Sequence, residues 1–339
     1  MTTVLTNRLG DCLLLLGALL LLSSGEEKQP LPSTWEVVVL LAVLLGALTK
    51  RAQFPFSTWL PLAIAAPTPI SALVHSSTLV TGGYVILVLF SPTFFSSLGL
   101  VLCVWAAIVA GIKSLMEGDY KKLIALSTLT QISLIWVIWC WGATLLSFLY
   151  LTSHAFFKSS LFMAAGVVIH YNLREQRRKI YRVFVESRAT RAWRALSVSS
   201  LIGITFSSVF FLKDLFLENV LGGPTRIGMR AVLFFTILFT INYSWKLFHM
   251  VVGRAGCSRG SHPAAIGLLG CLVPLVLSWS LPILLAWNLL PLEQPALPTT
   301  KLLLPLLWRV AFFFYLWGRS GKRLGLRVKS WSHSRNYYR

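Results

Sequence analysis

Charge is scarce in this sequence and acidic charge scarcer still: 12% of the 339 residues are charged, and only 11 are Asp or Glu. Soluble domains carry roughly a quarter charged residues, so an ordinary water-exposed surface cannot be built from this chain. Paired carboxylates for acid–base work, a Ser-His-Asp series and a glycine-rich phosphate loop are all missing. Hydrolytic and nucleotide-handling chemistry go with them. Cysteine is also sparse. Cys12, Cys103, Cys140, Cys257 and Cys271 are scattered without CxxC spacing, which argues against a metal site or a disulfide framework and leaves small core residues. No run shows the alternating polarity of an outer-membrane barrel. A cleavable leader is not expected either, because Met1–Asp11 is short and polar and no small-residue cleavage site follows it.

Apolar residues fill the sequence instead, at 56% hydrophobic with a mean hydropathy of +0.72. Ten apolar stretches can be marked: Asp11–Leu22, Trp35–Ala66, Ile70–Leu89, Leu98–Met116, Leu123–Cys140, Leu145–Ile169, Leu196–Leu217, Met229–Val252, Ala264–Trp287 and Lys301–Trp317. Most are near the ~20 residues that a bilayer requires. The second is too long for one straight span and contains Lys50 and Pro55, so it reads as a broken helix. The expected fold is all-α, a polytopic membrane bundle of about ten spans with broken helices.

The net charge of +20 invites a nucleic-acid reading, but its placement opposes one. Lys and Arg cluster in alternate loops: Lys113, Lys121 and Lys122; Arg174 to Arg194; Arg254 and Arg259; then Arg319 to Arg339. The opposite loops hold little more than Lys28, Arg226 and Arg230. This is the positive-inside bias, and it puts both termini on the cytoplasmic or matrix side. No aromatic-interleaved nucleic-acid module accompanies it.

An ionisable side chain inside a span costs about 2.5 to 3.5 kcal/mol or more, so each is a functional candidate. Lys50 reads either as a lysine snorkelling from a short helix or as one lining the hydrated cavity of a broken helix. His75 follows Pro69 among the hydroxyls of Ser76, Ser77 and Thr78, which can bond either the helix backbone or water. His154 and Lys158 lie four residues apart in FLYLTSHAFFKSSLF, on one helix face. Snorkelling explains Lys158 poorly, since about a dozen apolar residues flank it on either side. Lys213 with Asp214 marks either a water interface or a second intramembrane site, whereas Lys246 and His249 read as interfacial. A series of lysines and histidines, one or two per helix, suits the passing of protons and suits a bulky substrate poorly.

The same residues carry a family resemblance. The segments TNRLGD (Thr6–Asp11), LTKRAQFPFSTWLPLAIAAPTPISALVHSSTLVTGG (Leu48–Gly83), GDYKKLIALSTLTQISL (Gly118–Leu134), SHAFFKSSLFMAAGVVIH (Ser153–His170) and FLKDLFLE (Phe211–Glu218) closely resemble the chain-5 family of mitochondrial NADH:ubiquinone oxidoreductase. That family is the distal antiporter-like subunit of respiratory complex I. The resemblance implies an antiporter-like fold and proton pumping driven by electron transfer in other subunits. Lys50 looks like the central-axis lysine of a broken helix, and His75 like the histidine of the next. His154 and Lys158 are similar to the pair in HAFFK, and Lys213 to the lysine of a second broken helix. Asp11, of the NRxGD motif, and Pro55, Pro67 and Pro69 are implied as structural and coupling positions. NADH, FMN, iron-sulfur clusters and ubiquinone would bind elsewhere in the complex, with no cofactor or metal in this chain.

The resemblance implies a division into residues 1–318, an antiporter-like transmembrane domain of about family helices six to fifteen, and residues 319–339, a basic matrix-side tail in the mitochondrial inner membrane. Partners would be other membrane-arm subunits, above all the adjacent antiporter-like one, and membrane lipids, with no nucleic acid. Tyr150 stands where some members have a second histidine. By this resemblance the family's earlier helices and their membrane glutamate are expected to lie outside this chain. Because every acidic residue reads as lying in a loop, at a span edge or at a helix start, Lys50 is expected to need a carboxylate from a separate chain supplying those helices, packed against Gly10, Gly17 and Ala18. Two rival readings share these features: the large subunit of a multi-subunit cation/proton antiporter or membrane hydrogenase, and a structural subunit that seals the membrane arm without pumping.

Overall fold

The computed structural model describes residues 2–25, 33–76, 78–89, 96–171, 188–203, 207–222, 236 and 238–247, with isolated residues at 273, 276, 277 and 280. All fall within one unit, residues 1–288. The expected spans Ala264–Trp287 and Lys301–Trp317, most of the loop from Tyr171 to Ala195, and the tail lie outside the described residues.

The first helix, α1, runs over Thr2–Gly25 and starts well before the expected Asp11. Its polar opening does not prevent this, because the residues bond their own backbone: Thr6 Oγ1 donates to Thr2 O at 3.0 Å and Asn7 Nδ2 to Thr3 O at 2.8 Å. Asp11 therefore sits inside a helix. The second helix, α2 (Ser33–Lys50), packs along α1.

The long second stretch divides at Lys50, where α2 closes with two bonds, Ala52 N–H to Thr49 O at 3.2 Å and Gln53 N–H to Leu48 O at 3.0 Å. This is the Schellman pattern, which needs a left-handed residue after the helix. Ala52 takes that place with φ +54°, at a cost of about 1–2 kcal/mol that glycine would avoid. The indole of Trp59 donates to the freed Thr49 carbonyl at 2.9 Å. The chain then continues through the short α3 (Trp59–Leu62) and a 3-10 turn to α4 (Thr68–Ser76), which Pro67 precedes and which carries Pro69 in its first turn, where the missing N–H costs nothing.

Two further expected spans also divide. The stretch Ile70–Leu89 becomes α4 and α5 (Leu79–Leu89), with Thr78 donating both its N–H and its hydroxyl to Leu73 O, a five-residue step outside the helical ladder. The stretch Leu196–Leu217 begins earlier and becomes α9 (Arg188–Ile202) and α10 (Ser208–Gly222), with Gly203 at φ +79° after α9. Between these come α6 (Ser96–Met116), α7 (Tyr120–Cys140) and α8 (Thr144–Tyr171). Among the described residues, four helices are long and apolar enough to cross a bilayer: most of α1, α6, α7 and α8.

Of these, α7 is the central element. It is buried along nearly its whole length and packs against α6 on one side and α8 on the other, while α4, α9 and α10 cover α8. Its hydrophobic residues, with those of α2 and α8, form the main core around Leu123, Ile135, Trp136, Phe157 and Phe162.

The contact of α1 with α2 is close because it is built on glycine. A Cβ on Gly10 would run into Thr49, one on Gly17 would meet Val43 at 2.7 Å, and one on Gly46 would meet Leu14 at 2.7 Å. Gly10 and Gly17 are thus covered from within the chain, in place of the expected separate chain. Small residues let membrane helices approach in this way. Gly10→Leu is expected to overpack this contact and destabilise the protein by about 1–3 kcal/mol, seen as a lower unfolding temperature in detergent. Gly82→Ala, where a Cβ meets nothing within 4 Å, should leave it unchanged.

Candidate functional site

Glycine packing at Gly10 and Gly46 brings the ends of two adjoining side chains together, and Asp11 forms an ion pair with the Lys50 ammonium. Lys50 is 16% exposed and Asp11 37%. This corrects the expectation that Lys50 finds no carboxylate within the chain. The sequence hid the pair because Asp11 read as a helix start, whereas α1 begins nine residues earlier and carries it alongside the end of α2.

Lys158 and both central histidines are fully buried. The Lys158 ammonium donates to Ser127 Oγ at 2.6 Å and, more weakly, to Ile124 O at 3.4 Å. It interacts electrostatically with His75, His154 and Lys213, so helices α4, α8 and α10 direct their basic groups towards one region. His75 stacks on Phe162 with ring centroids 5.2 Å apart, and His154 meets Phe157 edge-on at the same distance. Neither nitrogen of either ring has a hydrogen-bond partner among the described residues. The hydroxyls flanking His75 turn to their own helix, with Ser76 Oγ on Ala72 O and Ser71 Oγ on Thr68 O. They do not bond the imidazole.

Lys213 and Asp214 are buried together and do not lie at an exposed end. The Lys213 ammonium donates to the carbonyls of Leu201 and Ile202 at 3.1 and 3.3 Å, the last of α9, where the helix dipole favours a cation. Lys246 does the same for α6: it donates to the carbonyls of Ser114, Leu115 and Glu117. That makes it a clamp on the turn between α6 and α7, where it read as merely interfacial. Pro55 lies in the turns between α2 and α3.

Several further polar residues join these contacts. Arg51, passed over beside Lys50, is fully buried, with its guanidinium 4.5 Å from the Trp136 ring, 5.5 Å from that of Tyr84, and 3.2 Å from Ile132 O. Along α7 the hydroxyl and amide residues Ser127, Thr130, Gln131 and Ser133 are all buried. Tyr150 donates to Gln131 Oε1 at 2.5 Å, Gln131 Nε2 donates to Tyr243 Oη at 2.6 Å, and Thr130 Oγ1 reaches the same hydroxyl at 3.1 Å. Ser133 donates to Gln53 at 2.9 Å. A reader alert to polar residues three and four apart in an otherwise apolar helix would have found this face.

A multi-pass helical membrane protein with basic groups buried among its helices is the class that fold and site define. Residues 1–240 match the family described as NADH:quinone oxidoreductase/Mrp antiporter, TM, and the chain belongs to that family. Among curated relatives, NADH-ubiquinone oxidoreductase chain 5 of Locusta migratoria is 35% identical over 310 residues, covering 86% of this chain and 54% of its own length. The protein of the same name from Artemia franciscana is 40% identical over 222 residues, 65% of this chain and 41% of its own. The chain thus spans about half the length of the curated relatives it matches. Among solved structures, a chain of the membrane-bound sulfane sulfur reductase, an archaeal respiratory membrane complex, superposes with a TM-score of 0.71 at 19% identity, over 83% of this chain and 62% of its own. A chain of the Mrp complex from Dietzia sp. DQ12-45-1b gives 0.63 at 21%, over 96% and 43%. Both likenesses concern the fold.

Tyr150→Phe removes the donor to Gln131 and leaves a buried acceptor without it. The expected loss is about 1–3 kcal/mol of stability, measurable as a lower unfolding temperature of the detergent-solubilised protein.

Proposed function

We propose that this chain is a proton-translocating membrane-arm subunit of respiratory complex I in the mitochondrial inner membrane, coupling NADH:ubiquinone electron transfer to proton movement. Lys158 is the observation that carries this reading. A buried ion costs several kcal/mol to desolvate, while a hydrogen bond to a charged group contributes about 1.5–3 kcal/mol. One hydroxyl and one long carbonyl contact hold the ammonium too loosely for a purely structural charge. A lysine held in this way can give up its proton and regain it, and two buried histidines with open nitrogens stand in electrostatic reach. In this reading a proton moves between the Lys50–Asp11 pair, His75, Lys158, His154 and Lys213. Helix breaks at Lys50 and at Gly203 give access to it, as in other broken membrane helices.

Cofactors and quinone belong to other subunits in this reading, and redox chemistry is no part of this chain. Its partners are neighbouring membrane-arm subunits. A chain bearing further helices would pack on the exposed Leu5, Leu9, Leu15 and Leu19 side chains of α1. The Mrp likeness favours a second reading, the large subunit of a cation/proton antiporter. Co-purifying subunits separate the two, since flavin and iron-sulfur proteins accompany only the first.

Lys158→Ala is expected to lower proton pumping and coupled turnover while the complex still assembles. Pumping near the wild-type rate in an assembled Lys158→Ala complex would remove Lys158 from the route. Lys246→Ala should instead weaken the α6–α7 turn, lowering stability without changing protons moved per electron. The charge asymmetry further supports a matrix-side position for the segment joining α8 to α9 and for the tail from Arg319. Labelling of Arg188→Cys by a membrane-impermeant thiol reagent should succeed from the matrix side, and labelling from the other would reverse the orientation.

A further inference from the structure

The faces of α7 and α8 meet in a ladder of polar contacts, of which the route above uses one end. Tyr150, His154 and Lys158 follow one another at steps of four along α8, as Ser127 and Gln131 do along α7, so each set lies on one helix face. Lys158 donates to Ser127 Oγ at 2.6 Å, and two turns away Tyr150 donates to Gln131 Oε1 at 2.5 Å. His154 stands between these rungs, fully buried, and neither of its ring nitrogens has a hydrogen-bond partner among the described residues. Lysine, histidine and tyrosine can each hand on a proton, and here the row of three ends at an amide.

Gln131 continues the contacts but not the chemistry. It is fully buried, and its Nε2 donates at 2.6 Å to Tyr243 Oη, on the helix at residues 238–247. A hydroxyl accepts one hydrogen bond while donating another, so a proton can reach one side of it as another leaves. An amide oxygen only accepts, and an amide nitrogen only donates. Passing a proton from Tyr150 to Tyr243 would need Oε1 to gain one and Nε2 to lose one, which converts the amide to its much less stable imidic-acid tautomer. An apolar side chain would stop protons too, but it would take a partner from two buried hydroxyls, which is costly. The amide bonds both and carries nothing between them. Beyond Tyr243, three residues on and on the same side of that helix, the half-buried Lys246 ends on carbonyls that close α6.

We infer that Gln131 is a proton barrier, an amide that ties Tyr150 to Tyr243 while keeping protons held by Lys158 and His154 from crossing to the helix at residues 238–247. The inference rests on the proton-transfer reading of Lys158 given above. A pump needs such an element, because a buried group open to both sides at once lets the gradient run back. A carboxyl in this place keeps the size and shape of the amide and removes the block, since it takes a proton on one oxygen as it releases one from the other.

The test uses the intact complex in sealed membranes, measuring protons moved per NADH oxidised and the rate at which the pH gradient decays once NADH is exhausted, with assembly followed on native gels. Gln131→Glu is expected to make the decay at least about tenfold faster, against the ~10²–10⁴-fold that a positioned acid–base group brings to proton transfer. Protons per NADH should fall while NADH oxidation continues. Adding Lys158→Ala should return the decay to the wild-type rate. Gln131→Met, which fills the space without titrating, should keep both measurements at wild-type values and lower only the unfolding temperature. Wild-type decay in an assembled Gln131→Glu complex overturns the inference, as does a fast decay that Lys158→Ala does not remove. Lost pumping in Gln131→Met puts Gln131 in the route itself and has the same result. Where Gln131→Glu does not assemble, Gln131→His carries the same test. Failure of both, or of Gln131→Met, to assemble makes Gln131 a structural tether and overturns the inference. Undiminished pumping in Lys158→Ala alone removes the underlying reading instead.

Discussion

A polar group placed in lipid has to find its partner inside the protein, and in this bundle α7 supplies most of those partners. Ser127 receives the Lys158 ammonium, the Ile132 carbonyl receives Arg51, and Gln131 joins Tyr150 of α8 to Tyr243 of a later helix. The same helix offers Trp136 to the Arg51 guanidinium. Its apolar residues fill the core between these contacts. Were α7 turned to present another face, Lys158 and Tyr150 would lose their side-chain partners Ser127 and Gln131, and a buried polar group left without its partner costs about 1–3 kcal/mol. The register of α7 against its neighbours is therefore set as much by polar pairing as by packing.

A second constraint follows from how few acids the chain has. With 11 Asp and Glu against 31 Lys and Arg, most buried cations cannot be neutralised by a carboxylate. The structure uses other devices. Lys213 and Lys246 end on the carbonyls of α9 and α6, where the helix dipole supplies negative charge. Arg51 lies over aromatic rings, whose faces attract a cation. Lys158 has a hydroxyl. Lys50 is given a carboxylate, and the glycine-built contact of α1 with α2 is what delivers it. Basic groups held so differently need not serve the same purpose: the helix-end lysines are well satisfied, whereas Lys158 has one hydroxyl and one long carbonyl contact and the two histidine rings have no hydrogen-bond partner among the described residues.

Much of the fold was legible beforehand. The apolar runs that became α6, α7 and α8 were located to within a few residues, because a bilayer imposes a length that counting can find. Helix ends within the apolar stretches were less legible. Three long stretches proved to be pairs of helices. The breaks lie at Lys50, after Ser76 and at Gly203, and only the first was marked beforehand, by a lysine and a proline. The start of α1 was misplaced because a polar opening looks like a loop when its own backbone bonds cannot be seen.

The candidate site divides in the same way. Sequence alone determined that Lys50, His75, His154, Lys158 and Lys213 are unusual, since an ionisable residue in an apolar run is costly wherever it points. It also set His154 and Lys158 on one face, through the helical repeat. The tertiary structure alone decided which of these are paired, and with what. Asp11 meets Lys50, which lies 39 positions further along the chain, and Lys158 meets Ser127, which lies 31 positions before it. Arg51 turns inwards while its neighbour Lys50 turns towards α1. Partnership between distant residues depends on which helix faces come together, and close approach of faces is a property of packing that no local pattern carries.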